Sequence, residues 1–156
     1  MSKCIRVIAG VVLAASLGTA AYAHDTAQEA ANKKLVLNFY AELEMPNQAQ
    51  RIAGIAERFI APGYIQHLEG AKNGREALVQ DFQNRPAGGK PLPPAKLIAL
   101  MAEGDKVIQV TSRDMPDPAT GGTKPAFIWN MFRIEKGQLA EHWDVVPASI
   151  RPPNAK

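Results

Sequence analysis

The chain has 156 residues, of which 46% are hydrophobic and 21% charged, with a formal charge of +3. That length suits one domain and hardly two. The longest basic run is Lys33-Lys34, so there is no basic stripe of the kind a nucleic-acid binder needs.

The first 23 residues read as a secretory signal peptide. Lys3 and Arg6 precede the apolar run VIAGVVLAASLG, and Ala21 and Ala23 stand at the two small-residue positions of a cleavage site. The uncharged run from Val7 to Ala23 is short and rich in Ala and Gly for a membrane span. Cys4 lies before that run, where it cannot serve as a lipoprotein cysteine. Cleavage after Ala23 leaves residues 24–156 as the domain, in the periplasm or secreted, with no membrane attachment. That domain has 16 basic and 15 acidic residues and no cysteine, which excludes disulfides and thiol catalysis. Its stability has to come from a core.

The elements follow in order. The segment DTAQEAANKKLVLNFYAELE predicts a helix over 25–44, capped by Asp25 with Gln28 as a weak capping box, and with Leu35, Phe39 and Leu43 as its apolar stripe. Pro46 ends it. NQAQRIAGIAERFI predicts a second helix with Asn47 as cap and Ile52, Ile55, Phe59 and Ile60 on one side. APGYIQHLEG turns away without a regular pattern. GREALVQDFQNR predicts a short third helix, and PAGGKPLPPA reads as a crossover. Four strands follow: KLIALMAEG, KVIQVTSRD, AFIWNMFRIE and QLAEHWDVV. A long loop, MPDPATGGTKP, joins the second and third, and a tight turn at Lys136-Gly137 joins the last two. Helices first and strands second predict an α+β domain with helices packed on an antiparallel sheet.

Alternation along the last two strands sorts their side chains. Ala126, Ile128, Asn130, Phe132 and Ile134 share the face toward the helices. Phe127, Trp129 and Met131 lie on the other, too apolar for a face that meets only water. On the last strand, alternation puts His142 and Asp144 with Ala140 on the inner side. It puts Leu139, Glu141, Trp143 and Val145 on the outer side. Inward polar groups need partners or a wet cavity. A carboxylate beside an imidazole suits general acid–base work, and it equally suits a satisfied structural pair. His67, in an irregular connection, is a second candidate, or a plain surface histidine. His24, His67 and His142 show no metal-ligand spacing.

The pieces FIAPGYIQHLEGAKNGREAL and FRIEKGQLAEHWDVV, in that order, resemble the SnoaL-like polyketide cyclase family of the nuclear transport factor 2-like superfamily. The resemblance implies a cone-shaped α+β barrel, with N-terminal helices packed on a curved antiparallel sheet and a mostly apolar pocket at its wide end. It implies a homodimer through the outer sheet face, in accord with Phe127, Trp129 and Trp143. It implies cofactor-free, metal-free acid/base chemistry on a carbonyl compound, of the aldol-cyclase or isomerase type. Its pattern points to His67, His142 and Asp144 as catalytic residues. Asp144 would be oriented by His142, and His67 would face them across the pocket as a donor to the enolate oxygen. Tyr64, Asn130 and Gln109 are the ligand-binding candidates. Relatives often carry an Asp at the Asn130 position and tend to place a His near Gln109, so two proton-moving groups are exchanged for amides here. An exported protein of the same fold that binds an apolar small molecule without changing it is the alternative.

Overall fold

The computed structural model describes residues 25–85 and 92–147. The expected signal peptide lies outside these residues, as do His24, most of the crossover and residues 148–156. The described residues form eight elements: α1 (Ala27–Leu43), α2 (Gln48–Phe59), β1 (Ile60–Gln66), α3 (Arg75–Gln83), β2 (Lys96–Glu103), β3 (Lys106–Pro116), β4 (Thr123–Glu135) and β5 (Gln138–Val145). The three helices pack on a five-stranded sheet of order β1-β5-β4-β3-β2. The sheet is mixed, because β1 pairs with β5 in parallel and the other neighbours are antiparallel. The α+β class and the expected helices packed on a curved sheet stand, with the sheet unclosed and its β1 edge parallel.

The cap of α1 falls one residue later than expected. The Thr26 hydroxyl accepts the Glu29 N–H at 3.1 Å, and the Glu29 carboxylate accepts the Thr26 N–H at 2.8 Å. This is a full capping box. Asp25 pairs with Lys33 instead. Glu29 also accepts the Gly104 N–H at 2.8 Å, and Asn32 donates to the Gly104 carbonyl at 3.1 Å. Both contacts tie the start of α1 to the β2–β3 turn. The buried stripe of α1 runs through Asn32, Val36 and Phe39, with Leu35 and Leu43 only partly buried. At the start of α2, Asn47 has a left-handed backbone (φ 60°) and makes no side-chain cap bond.

The core joins Val36 and Phe39 of α1 to Ile52, Ile55 and Ala56 of α2. These meet Ile60, Tyr64, Val107, Phe132, Ile134 and Leu139 from the sheet. Phe132 is fully buried, and its ring lies within 6.0–6.4 Å of those of Tyr40 and Phe39.

Two departures from expectation matter for function. First, APGYIQ forms β1. Pro62 and Gly63 read as breakers, but β1 is an edge strand whose register with β5 shifts between Ile60 and Ile65, and an edge irregularity tolerates both residues. Second, Leu139 is fully buried rather than on the outer face. Arg133 pairs with Glu141 and Ile134 with Leu139, so Ala140 is the extra residue of a β-bulge. The bulge resets the alternation. It lets Leu139 join the core while His142 and Asp144 also face inward.

The turns behave as read. Lys136 (φ 51°) and Gly137 (φ 76°) both take the positive φ of a two-residue hairpin turn. The β3–β4 connection is shorter than the expected loop, because both strands extend through Pro116 and from Thr123.

Candidate functional site

The last turn of β1 and the middle of β5 bring the inner polar residues together. Gln66 pairs in register with His142, and Asn130 with Asp144 and Gln109. Neighbours paired in register point the same way, so these side chains meet on the inner face. Tyr64, two residues before Gln66, joins them by the same alternation.

Gln66 is the hub. Its Oε1 accepts the Tyr64 hydroxyl at 2.6 Å and stands 3.0 Å from His142 Nδ1, and its Nε2 donates to Asp144 at 3.3 Å. The phenol and the carboxylate together orient the carboxamide, so Nδ1 of His142 carries the proton that reaches Gln66 Oε1. On the far side of the ring, His142 Nε2 lies 3.1 Å from Asn130 Oδ1, and Asn130 Nδ2 donates to Gln109 at 3.4 Å. The imidazole also stacks on Phe132, with centroids 4.2 Å apart and planes within 4°.

Burial on this apolar floor pushes His142 down to about 3, and the nearby His67 adds to the shift. The ring is therefore neutral at ordinary pH. A neutral ring has one N–H, so as the amides stand only Gln66 Oε1 accepts from it, while Asn130 Oδ1 lies beside Nε2 and the Asn130 N–H points to Gln109. The linkage sign follows from a pKa below the unfolded value. The stabilising contribution is complete above about pH 6.5 and is lost as pH falls toward 3, because the unfolded chain takes up the proton first. The urea midpoint should therefore fall between pH 6.5 and 5, above the carboxylate range, and His142→Gln should flatten that slope. Equal slopes in the two proteins would contradict a neutral buried ring.

Tyr40 and Tyr64 are pushed well above the usual phenol range, first by burial. The charge of Asp144 contributes to both shifts. Both phenols stay protonated and so keep an O–H to donate.

A cavity of about 220 Å³ opens between α1 and the inner face of β2–β4. Leu37, Tyr40, Ala41 and Glu44 form the helix wall, Leu97 and Ile128 are apolar on the sheet side, and Gln109, Thr111, Arg113 and Asn130 are polar. Of the expected site residues, Gln109 and Asn130 line this cavity. His142, Asp144 and Tyr64 adjoin them through the network, Asp144 as the cross-strand neighbour of Asn130 and His142 against its carboxamide. Gln66, Tyr40 and Arg113 were not singled out from the sequence. Gln66 stands inside the YIQH segment already marked, and Arg113 lies two and four residues beyond Thr111 and Gln109 on one strand face.

His67 is placed elsewhere. It follows Gln66 by one residue, so alternation turns it to the outer face with Glu141 and Trp143. Its ring stacks on Trp143 at 4.4 Å, and its Nε2 lies 3.1 Å from Glu141. Glu141 also accepts Arg133 Nε at 2.7 Å, and these two partners hold its carboxyl below the usual range. The expectation that His67 faces His142 and Asp144 across the pocket is corrected by this alternation. Among the described residues no group of three or more His, Cys, Asp or Glu could hold a metal ion.

The arrangement of helices on one side of a curved sheet matches solved structures. A protein from Jannaschia sp. CCS1 assigned as a SnoaL-like polyketide cyclase aligns over 79% of this chain and 90% of its own, at 16% identity and a TM-score of 0.60. This is the SnoaL-like, nuclear transport factor 2-like fold. AclR from Streptomyces galilaeus, assigned as a hydroxylase, aligns over 80% of this chain and 78% of its own (21% identity, TM-score 0.54). A de novo designed protein with a curved β-sheet aligns over 78% and 89% (11% identity, TM-score 0.56). A designed protein among the matches underlines that the likeness speaks for the fold and not for an activity. No family model matches the chain, and no curated protein matches it.

Proposed function

We propose that this SnoaL-like fold serves a cofactor-free enzyme that moves a proton on a small carbonyl compound held in the inner cavity. The observation that carries the reading is the Gln66 bridge. One carboxamide fixes both His142 and Asp144, next to the Asn130 and Gln109 amides that line the cavity. Asp144 is the base that removes a proton beside the carbonyl. Asn130 and the protonated Tyr40, which both line the cavity, donate to the enolate oxygen in this reading. His142, with both ring nitrogens engaged, positions rather than transfers.

The test is α-proton exchange in D2O, followed by proton NMR, on a panel of small ketones and 1,3-diketones. Exchange above the buffer rate at neutral pH is expected. A second reading, a binding protein of the same fold, is favoured by the saturation of His142 and by amides at positions 109 and 130. Ligand-induced shifts at Asn130 and Gln109 without any exchange would select it.

The leader-like residues 1–23 support export to the periplasm or medium. The outer face supports a homodimer. Phe127 is 47% and Trp129 53% exposed, and they border a groove of about 350 Å³ with Ile98 and Met101. Trp143 is partly screened by His67, so Phe127 and Trp129 form the centre of this patch. Light scattering should return twice the mass of the processed chain, and Trp129→Glu should return a monomer. A wild-type monomer at high concentration would remove the patch from consideration.

A further inference from the structure

Arg113 projects from β3 into the polar wall of the cavity and is only 14% exposed. Its Nη1 donates to the Pro93 carbonyl and its Nη2 to Glu44 Oε1 at 2.9 Å, while its Nε is buried and has no hydrogen-bond partner among the described residues. Nε–H and Nη2–H form one edge of the guanidinium, the edge that grips a carboxylate with two parallel bonds. Glu44 uses half of that edge. It caps the C-terminus of α1, and its side chain is 42% exposed, so it can swing into water where Arg113 cannot. The exposed carboxylate of Glu44 makes a weak partner, since water competes for it. An unmade hydrogen bond of a buried charged donor is costly. An incoming carboxylate that replaces Glu44 keeps the ion pair and fills the empty donor.

We propose that Arg113 anchors a ligand carboxylate, so that the cavity selects medium-chain oxo acids over their neutral esters. This rests on reading the inner cavity as the ligand site. The strand sets only an upper limit on the ligand's length, because the Arg113 side chain covers part of the distance. Arg113 and Gln109 are four residues apart, about 13 Å of backbone at ~3.3 Å per residue. A carboxylate on Arg113 therefore leaves a carbonyl at most several carbons away near Asn130, where the Asp144 network comes forward. Tyr40 lines the same cavity from the α1 side.

The experiment titrates the purified protein with 6-oxoheptanoate and with methyl 6-oxoheptanoate, following amide shifts by NMR and heats by calorimetry. The acid should bind at least about tenfold more tightly than the ester, as expected for a charge-assisted two-bond contact. Arg113→Lys, which keeps the charge and loses the fork, should lose most of that preference. Glu44→Gln leaves the arginine untouched and removes its competitor, so acid affinity should rise roughly two- to fivefold, the equivalent of an exposed pair. Equal binding of acid and ester, or a preference that survives in Arg113→Lys, overturns the anchor. Binding of the ester with shifts at Asn130 and Gln109 leaves the cavity reading intact while the anchor fails. Binding of neither compound, with no shift at those residues, overturns both.

Discussion

Asp144→Asn should lower the α-proton exchange rate by roughly 10²–10⁴, the usual contribution of a positioned base. The exchange is Asn for Asp at nearly constant volume. An Asn carbonyl still accepts the Gln66 N–H that now reaches Asp144 at 3.3 Å, so the Gln66–His142 arrangement survives. What disappears is the group able to take a proton. Ligand affinity should change far less than rate, which separates a catalytic loss from a collapsed pocket. His67→Ala provides the contrast. His67 stacks on Trp143 and contacts Glu141 on the outer face, so the rate should hold. Wild-type exchange in Asp144→Asn would place the base elsewhere.

Phe132→Ala should cost about 3–5 kcal/mol of stability, read as a lower urea midpoint at pH 7.5. Phe132 is fully buried, meets Phe39 and Tyr40 from α1, and carries His142 on its face. Removing the ring leaves a cavity where the helix layer meets the sheet. That loss is a large share of a typical domain stability of about 5–15 kcal/mol. Phe132→Leu, which keeps most of the volume, should lose less. In that milder variant the His142 pKa, followed by NMR, should rise from its depressed value, because water reaches a ring now held down by burial. An unchanged midpoint in Phe132→Ala would mean that the floor of the site is not part of the cooperative core.

Much of the architecture was legible in the residues. The 3.6-residue pattern of 27–59, the breakers near Pro46 and Pro86, and the permissive Lys136-Gly137 turn mark three helices followed by strands, because local geometry depends on nearby residues. Alternation on β4 sorted Asn130 and Phe132 from Phe127 and Trp129 correctly, since that strand runs without a bulge from Thr123 to Arg133 opposite β3. The same rule on β5 sorted His142 and Asp144 and misplaced Leu139.

Three matters were decided only by tertiary contacts. Ala140 became a bulge because both Leu139 and His142 have inward positions to fill, and the residues around it carry no mark of that demand. β1 became a strand because β5 offers an open edge to pair with, which outweighs Pro62 and Gly63. With β1 in place, Gln66 was brought beside His142 and Asp144, 76 and 78 residues away in the chain, and His67 was turned outward. By itself the sequence determined the element types and which residues are polar within apolar strands, both set by short-range geometry. Which of those polar residues share a site depended on strand pairing, and pairing is a contest between distant segments that no local pattern records.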